Sequence, residues 1–142
     1  MTFIAPPAPV VIDASVTVGL AVGDERAVAA ALEAARLGST LLAPPHVWIE
    51  TANALIRGRR HSAVDAAQVL EDMVRMGLES ADRGLRGLRA AAGLAERHGL
   101  SVYDAAYLSL AIDLDAVLAT LDKPLARAAA AEGISVMGAP AD

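Results

Sequence analysis

A handful of short apolar runs, separated by helix-length stretches, limit what this chain can fold into. They are Pro9-Val10-Val11-Ile12, Thr40-Leu41-Leu42-Ala43, Ala116-Val117-Leu118-Ala119-Thr120 and Ile134-Ser135-Val136, with Gly77-Leu78-Glu79-Ser80 as a weaker member. Runs that are apolar throughout, rather than alternating, suit strands covered on both faces. Asp13-Ala14-Ser15 ends the first run and turns the chain into a helix after Ser15. Asp24 to Leu37 is the next predicted helix, with apolar positions at Val28, Leu32 and Leu37 and Gly38 as its stop. Pro45 opens a helix from His46 to Arg57, and Ser62 caps one to Met76. Asp82 caps a helix from Arg83 to Arg97, ended by Gly99; Ser101 caps one to Ile112; Asp122 caps one to Ala131, ended by Gly133. Strands alternating with helices require crossover connections, hence an α/β fold with a parallel sheet covered on both faces.

The chain has 142 residues, of which 55% are hydrophobic and 20% charged. That is enough for one domain with a real core, expected over residues 9–138, after a flexible Pro-rich lead-in at 1–8 and before a tail at 139–142. No apolar run reaches the ~18–20 residues that span a bilayer, and Met1–Pro9 has no basic segment of the signal-peptide kind. With no Cys, a disulfide scaffold, a thiolate zinc site and a Cys nucleophile are excluded. A cytoplasmic location is the expectation. The formal charge of −5 argues against a histone-like basic binder. It leaves nucleic acid open, because a local patch or a bound cation reverses the sign at one site.

In doubly wound sheets, ligands bind beyond the carboxyl ends of the strands, near a switch in strand order. Asp13 follows the first strand and Asp122 follows Thr120 at such an end. Each also has a structural role open to it, as the cap of the next helix. Glu50 lies one turn into its helix, where an acid favours the macrodipole. Asp104 completes Ser101-Val102-Tyr103-Asp104, a capping-box pattern, yet its neighbours Ala105, Ala106 and Leu108 are apolar. A carboxylate in that setting needs a partner or a metal.

Taken together, four carboxylates without Cys form a hard-oxygen set, suited to Mg2+ or Mn2+ rather than zinc. Close carboxylates repel and do not all stay ionised without a cation. A cation bound by one or two of them keeps waters that the others hold, activates water and offsets charge at a phosphoryl centre.

Val10-Val11-Ile12-Asp13-Ala14-Ser15 resembles the first motif of the PIN-domain ribonucleases. Pro45 to Leu55, Leu100 to Tyr107 and Leu118-Ala119-Thr120-Leu121-Asp122 resemble the other three, in the same order. The short length and Ala-rich helices are most similar to the VapC toxins of bacterial toxin–antitoxin pairs. The resemblance implies a three-layer α/β/α sandwich with a five-stranded parallel sheet, and RNA cleavage dependent on Mg2+ or Mn2+. It implies Asp13 and Asp104 as the main metal ligands, Glu50 and Asp122 completing the pocket largely through water, and Ser15 and Thr120 as supporting hydrogen-bonding groups. It further implies a homodimer and a cognate VapB-like antitoxin that blocks the cleft.

Arg57, Arg59, Arg60 and His61 form a basic turn, read either as a solvated face or as an RNA backbone contact. Arg83, Arg86 and Arg89 recur every three residues and share a helix face that meets RNA, antitoxin or water. His46, His61 and His98 show no ligand spacing and read as surface residues. Trp48, Ile49, Val69, Met73 and Met76 form apolar stripes whose default is core packing, with a partner groove as the alternative. A haloacid-dehalogenase phosphatase needs Asp-x-Asp after its first strand, whereas Ala14-Ser15 follows Asp13 here. The acidic pair and the late Lys of a receiver domain are also missing. A catalytically silent interaction module, or a PIN-like domain with another RNA-processing role, stays open. Setting aside the four candidate carboxylates leaves thirteen acids against twelve bases, so most of the net charge would sit in one pocket.

Overall fold

The Val10-Val11-Ile12 run forms β1 (Val10–Ile12), whose three side chains are all buried. The computed structural model describes residues 5–138. The expected tail at 139–142 and positions 1–4 of the expected lead-in lie outside the described residues. With β2 (Leu41–Ala43), β3 (Glu79–Ser80), β4 (Val117–Ala119) and β5 (Val136–Met137), β1 builds a five-stranded sheet in the order β3-β2-β1-β4-β5. All four pairings are parallel; Val10 stands opposite both Leu41 and Val117, and Ile12 opposite Ala119. The α/β/α expectation therefore holds. The chain winds from β1 outward through β2 to β3, then returns past β1 to β4. The switch in strand order falls between β1 and β4, which is where a crevice forms at the strand ends.

Helices α1 (Ala14–Ala21), α2 (Glu25–Leu37), α3 (Val47–Asn53), α4 (Ala63–Arg75), α5 (Gly84–His98), α6 (Val102–Leu114) and α7 (Lys123–Ala131) connect and cover the strands. Their starts follow the cap signals. Ser62 accepts from the Asp65 amide, Ser101 from that of Asp104 and Asp122 from that of Leu125. Asp82 acts one residue ahead of the helix proper, its Oδ1 accepting from Gly84 N at 2.7 Å. Gly38 and Gly99 close α2 and α5 in the left-handed conformation, at φ of 70° and 67°.

Three local features depart from the sequence reading. The buried face of α2 is Ala27, Ala30 and Ala34, while Leu32 is 65% exposed. Small residues let α2 approach α1 closely at Gly19, where a Cβ would fall 2.8 Å from Ala27 Cβ. The predicted His46–Arg57 helix is α only to Asn53 and continues as one wide π turn over Ala54–Gly58. Ile49 points outward at 76% exposure, whereas its neighbour Trp48 packs on the core and donates Nε1–H to Ser80 Oγ at 2.7 Å. The two are one residue, or about 100°, apart on a helix, so they do not share a face.

The core runs through β1, β4 and the inner faces of α5, α6 and α7, with Ile12, Tyr107, Leu108, Leu118 and Leu125 fully buried. Burying one such side chain stabilises the fold by about 1.5–3 kcal/mol. The sheet is thus a rigid base beneath its strand ends. No helix of the described residues is long and apolar enough to cross a membrane.

Candidate active site

Asp13 stands where β1 becomes α1. Its backbone is extended, and its side chain accepts from Val16 N at 3.2 Å, so it does cap α1. The cap uses only part of the carboxyl. Oδ1 also accepts from Ser15 Oγ at 2.5 Å, and Oδ2 accepts from Thr120 Oγ1 at 2.5 Å. Thr120 lies just beyond β4, and its hydroxyl oxygen in turn accepts from Asp122 N at 3.0 Å. Ser15 Oγ accepts from Leu121 N at 2.9 Å. Hydroxyl groups therefore tie the ends of the two central strands together around one acid.

Asp13 is 3% exposed. Burial pushes its carboxyl up to about 6, outweighing the hydrogen bonds from Ser15, Thr120 and Val16, and the charge of Asp122 adds to the rise. Asp104 sits half-buried in the first turn of α6. Burial raises it too, followed by repulsion from Asp122; Glu50 adds a smaller share. Asp122 caps α7 and is within electrostatic reach of both. The chain thus sets Asp13, Asp104 and Asp122 in one field, with Glu50 at its edge.

Glu50 projects from α3 and is held from two sides. Tyr107, three residues after Asp104 on α6, donates its hydroxyl to Glu50 Oε1 at 3.0 Å. His46 Nε2 lies 3.0 Å from the same oxygen and 3.0 Å from the Tyr103 carbonyl. The His46 ring meets Tyr103 and Tyr107 edge-on, at centroid distances of 5.9 and 4.9 Å. Its imidazole is raised above the ordinary value, chiefly by the bond to Glu50. The Tyr107 hydroxyl is driven far up, first by burial and then by Glu50, and stays neutral as a donor.

His46 and Tyr107 escaped the sequence reading as site residues. Each stands at helical spacing from a candidate carboxylate, His46 four residues before Glu50 and Tyr107 three after Asp104, and that is the signal that finds them. The expectation of a surface role fails for His46. His98 is also engaged, with Nε2 2.8 Å from Glu132 Oε2. Arg57, Arg59 and Arg60 are exposed around the π turn, and among the described residues none of them contacts the carboxylates.

The donor set is all oxygen and acidic, with two carboxyls raised first by burial and then by their acidic neighbours. That chemistry fits a hard divalent cation. Among the described residues, no three carboxylate or imidazole groups stand close enough to form a complete protein cage. Mg2+, which keeps most of its waters and takes one or two carboxylates, does not need one.

The model of the family described as the PIN domain matches residues 10–131. Two solved structures share the fold. A Pyrobaculum aerophilum protein, PAE2754, is 23% identical with a TM-score of 0.62, over 94% of this chain and 88% of that one. VapBC2 from Rickettsia felis, bound to a DNA fragment from their promoter, is 16% identical with a TM-score of 0.64, over 89% of this chain and 96% of that one. No curated protein sequence matches.

Proposed function

The chain belongs to the PIN-domain family, whose members are generally nucleases, and from that premise we propose that it is a Mg2+- or Mn2+-dependent endoribonuclease. The observation that carries this reading is Asp13. A buried carboxyl, pushed up to about 6, is gripped by two hydroxyls at the switch point of the sheet, within the field of Asp122, which also acts on Asp104. Such an arrangement weakens the metal-free fold and makes sense as a cation site.

Asp13 and Asp104 would hold the ion, and Glu50 and Asp122 would act through water. The bound ion supplies Lewis acidity, lowering the pKa of water and offsetting charge on the phosphoryl group. Ser15 and Thr120 keep Asp13 in one orientation. Tyr107 and His46 hold Glu50, and the bond to Glu50 raises the His46 imidazole above its ordinary value.

The likeness to VapBC2 supports the finer reading, a VapC-type toxin acting in the cytoplasm, with RNA as substrate and an antitoxin as partner. A homodimer belongs to the same proposal. Exposed Ile49 on α3 and Ile56 on the π turn give apolar surface for such contacts. Arg57, Arg59 and Arg60 are offered as RNA backbone contacts on their exposure and charge.

The test is cleavage of labelled RNA with Mn2+ or Mg2+, with EDTA, and by the D13N protein. We expect metal-dependent cutting that EDTA stops and D13N lowers at least a hundredfold. Cutting that survives both treatments sinks the metal mechanism.

A further inference from the structure

The Arg83, Arg86 and Arg89 face of α5 borders a groove of about 700 Å3 against α6, with Arg97 at its far end. Ala90, Leu94 and Ile112 are apolar side chains of its lining. Three carboxylates also line it, and two of them are paired with cations. Asp113 Oδ2 holds Arg83 Nε at 3.0 Å, Glu132 Oε2 holds Arg97 at 3.0 Å and His98 at 2.8 Å, and Asp82 accepts from Gly84 N. Among the described residues, Arg86 and Arg89 have no carboxylate partner. On a chain of net charge −5, this groove is lined by four arginines against three carboxylates, with Arg86 and Arg89 exposed.

The groove adjoins a hollow that reaches the edge of the candidate active site. A smaller hollow of about 80 Å3 shares Asp82, Arg83, Gly87 and Ser109 with it and ends at Pro44, Pro45 and His46. His46 is the residue that faces Glu50. His46 thus lies one hollow away from the arginine groove, with Gly87 and Ser109 in the wall that the two share. Gly87 lacks a side chain where α5 meets Ser109 of α6, whose hydroxyl donates to the Gly87 carbonyl at 3.5 Å.

We propose that this groove carries the single-stranded RNA backbone leading away from the cleavage site, with Arg86 and Arg89 as its phosphate contacts. This rests on the nuclease reading and extends it to how the substrate is held. Guanidiniums suit phosphate oxygens, and the apolar side chains beside them suit ribose and base faces.

The experiment measures binding of oligouridines of about 4 and about 15 nucleotides, lengths that bracket a typical single-strand footprint, across a salt series in EDTA. It compares wild type, R86E/R89E and R86K/R89K. We expect R86E/R89E to bind the longer RNA at least tenfold more weakly and to lose its advantage over the shorter one. The slope of log Kd against log salt should fall by about 1.4, since each phosphate contact on a single strand contributes about 0.7. R86K/R89K should keep most of the slope. A wild-type affinity and slope in R86E/R89E overturns the proposal, and so does a change of mass by light scattering with RNA affinity intact. Wild type that binds the longer RNA but cuts nothing with Mn2+ overturns the nuclease reading and leaves the groove standing; wild type with no RNA affinity overturns the groove.

Discussion

Thr120 donates its hydroxyl to Asp13 across 107 residues of sequence, and the 2.5 Å bond joins the ends of β4 and β1. The same oxygen accepts from Asp122 N, so one hydroxyl sets the positions of two candidate site residues. Thr120→Val keeps the shape and removes both bonds. We expect a stability loss of about 1–2 kcal/mol in urea unfolding. The Asp13 carboxyl should rise further, because the Thr120 bond holds it down, and an NMR titration would record it.

Metal-free stability should depend on pH with an unusual sign. Asp13 is raised from 3.8 to about 6, so the folded state binds a proton more tightly than the unfolded state. Its contribution is complete below the ordinary carboxylate range and is lost as pH climbs through about 6. Asp104, raised in the same direction, adds to the loss. Mn2+ or Mg2+ should reverse it, because ligands of the folded state stabilise it and here need ionised carboxyls. Melting temperatures from pH 4.5 to 8, with and without metal, should diverge progressively above about 6.

Asp13→Asn separates stability from function. The amide removes a buried charge that Asp122 repels, so the metal-free variant should melt at or above the wild-type temperature at pH 7.5. It should gain nothing from added metal. A variant that melts much lower would make Asp13 a structural cap first.

Tyr107→Phe tests the support of Glu50. The ring is fully buried and stays, while the donor to Glu50 Oε1 goes. Loss of about 1 kcal/mol is expected, with RNA cleavage reduced several-fold and its lower pH limit displaced. A change in stability alone, with an unaltered pH profile, would argue that the hydroxyl only packs.

Two glycines should respond oppositely to alanine. At Gly19 the new Cβ would fall 2.8 Å from Ala27 Cβ and 3.1 Å from Leu121 Cδ1, forcing α1 and α2 apart. A cost of about 1–3 kcal/mol follows. Gly93, inside α5 with open space around it, should gain about 0.5–1 kcal/mol on the same change. Chemical denaturation of both variants checks the pair.

The parallel sheet was legible because doubly covered strands are apolar throughout, and the carboxylates were legible because strand ends and helix caps are where Asp13 and Asp122 fall. Strand edges were less so. β3 is an exposed edge pair, Glu79–Ser80, and β5 begins at Val136, two residues after the buried Ile134. Apolar size misled at α2, where alanines rather than Leu32 face inward, since close helix approach is a property of two surfaces. Convergence of Glu50 with Tyr107 depends on how α3 lies against α6, and no single helix encodes that.

The strand order has a consequence for how the protein is made. β1 leaves the ribosome first but belongs in the middle of the sheet, and one of its edges waits for β4. Until residue 122 has emerged, Asp13 has no Thr120 to hold it, and until Tyr107 has emerged Glu50 lacks its donor. An unfinished chain therefore lacks the assembled site, which forms only once strands and helices far apart in sequence have all been made.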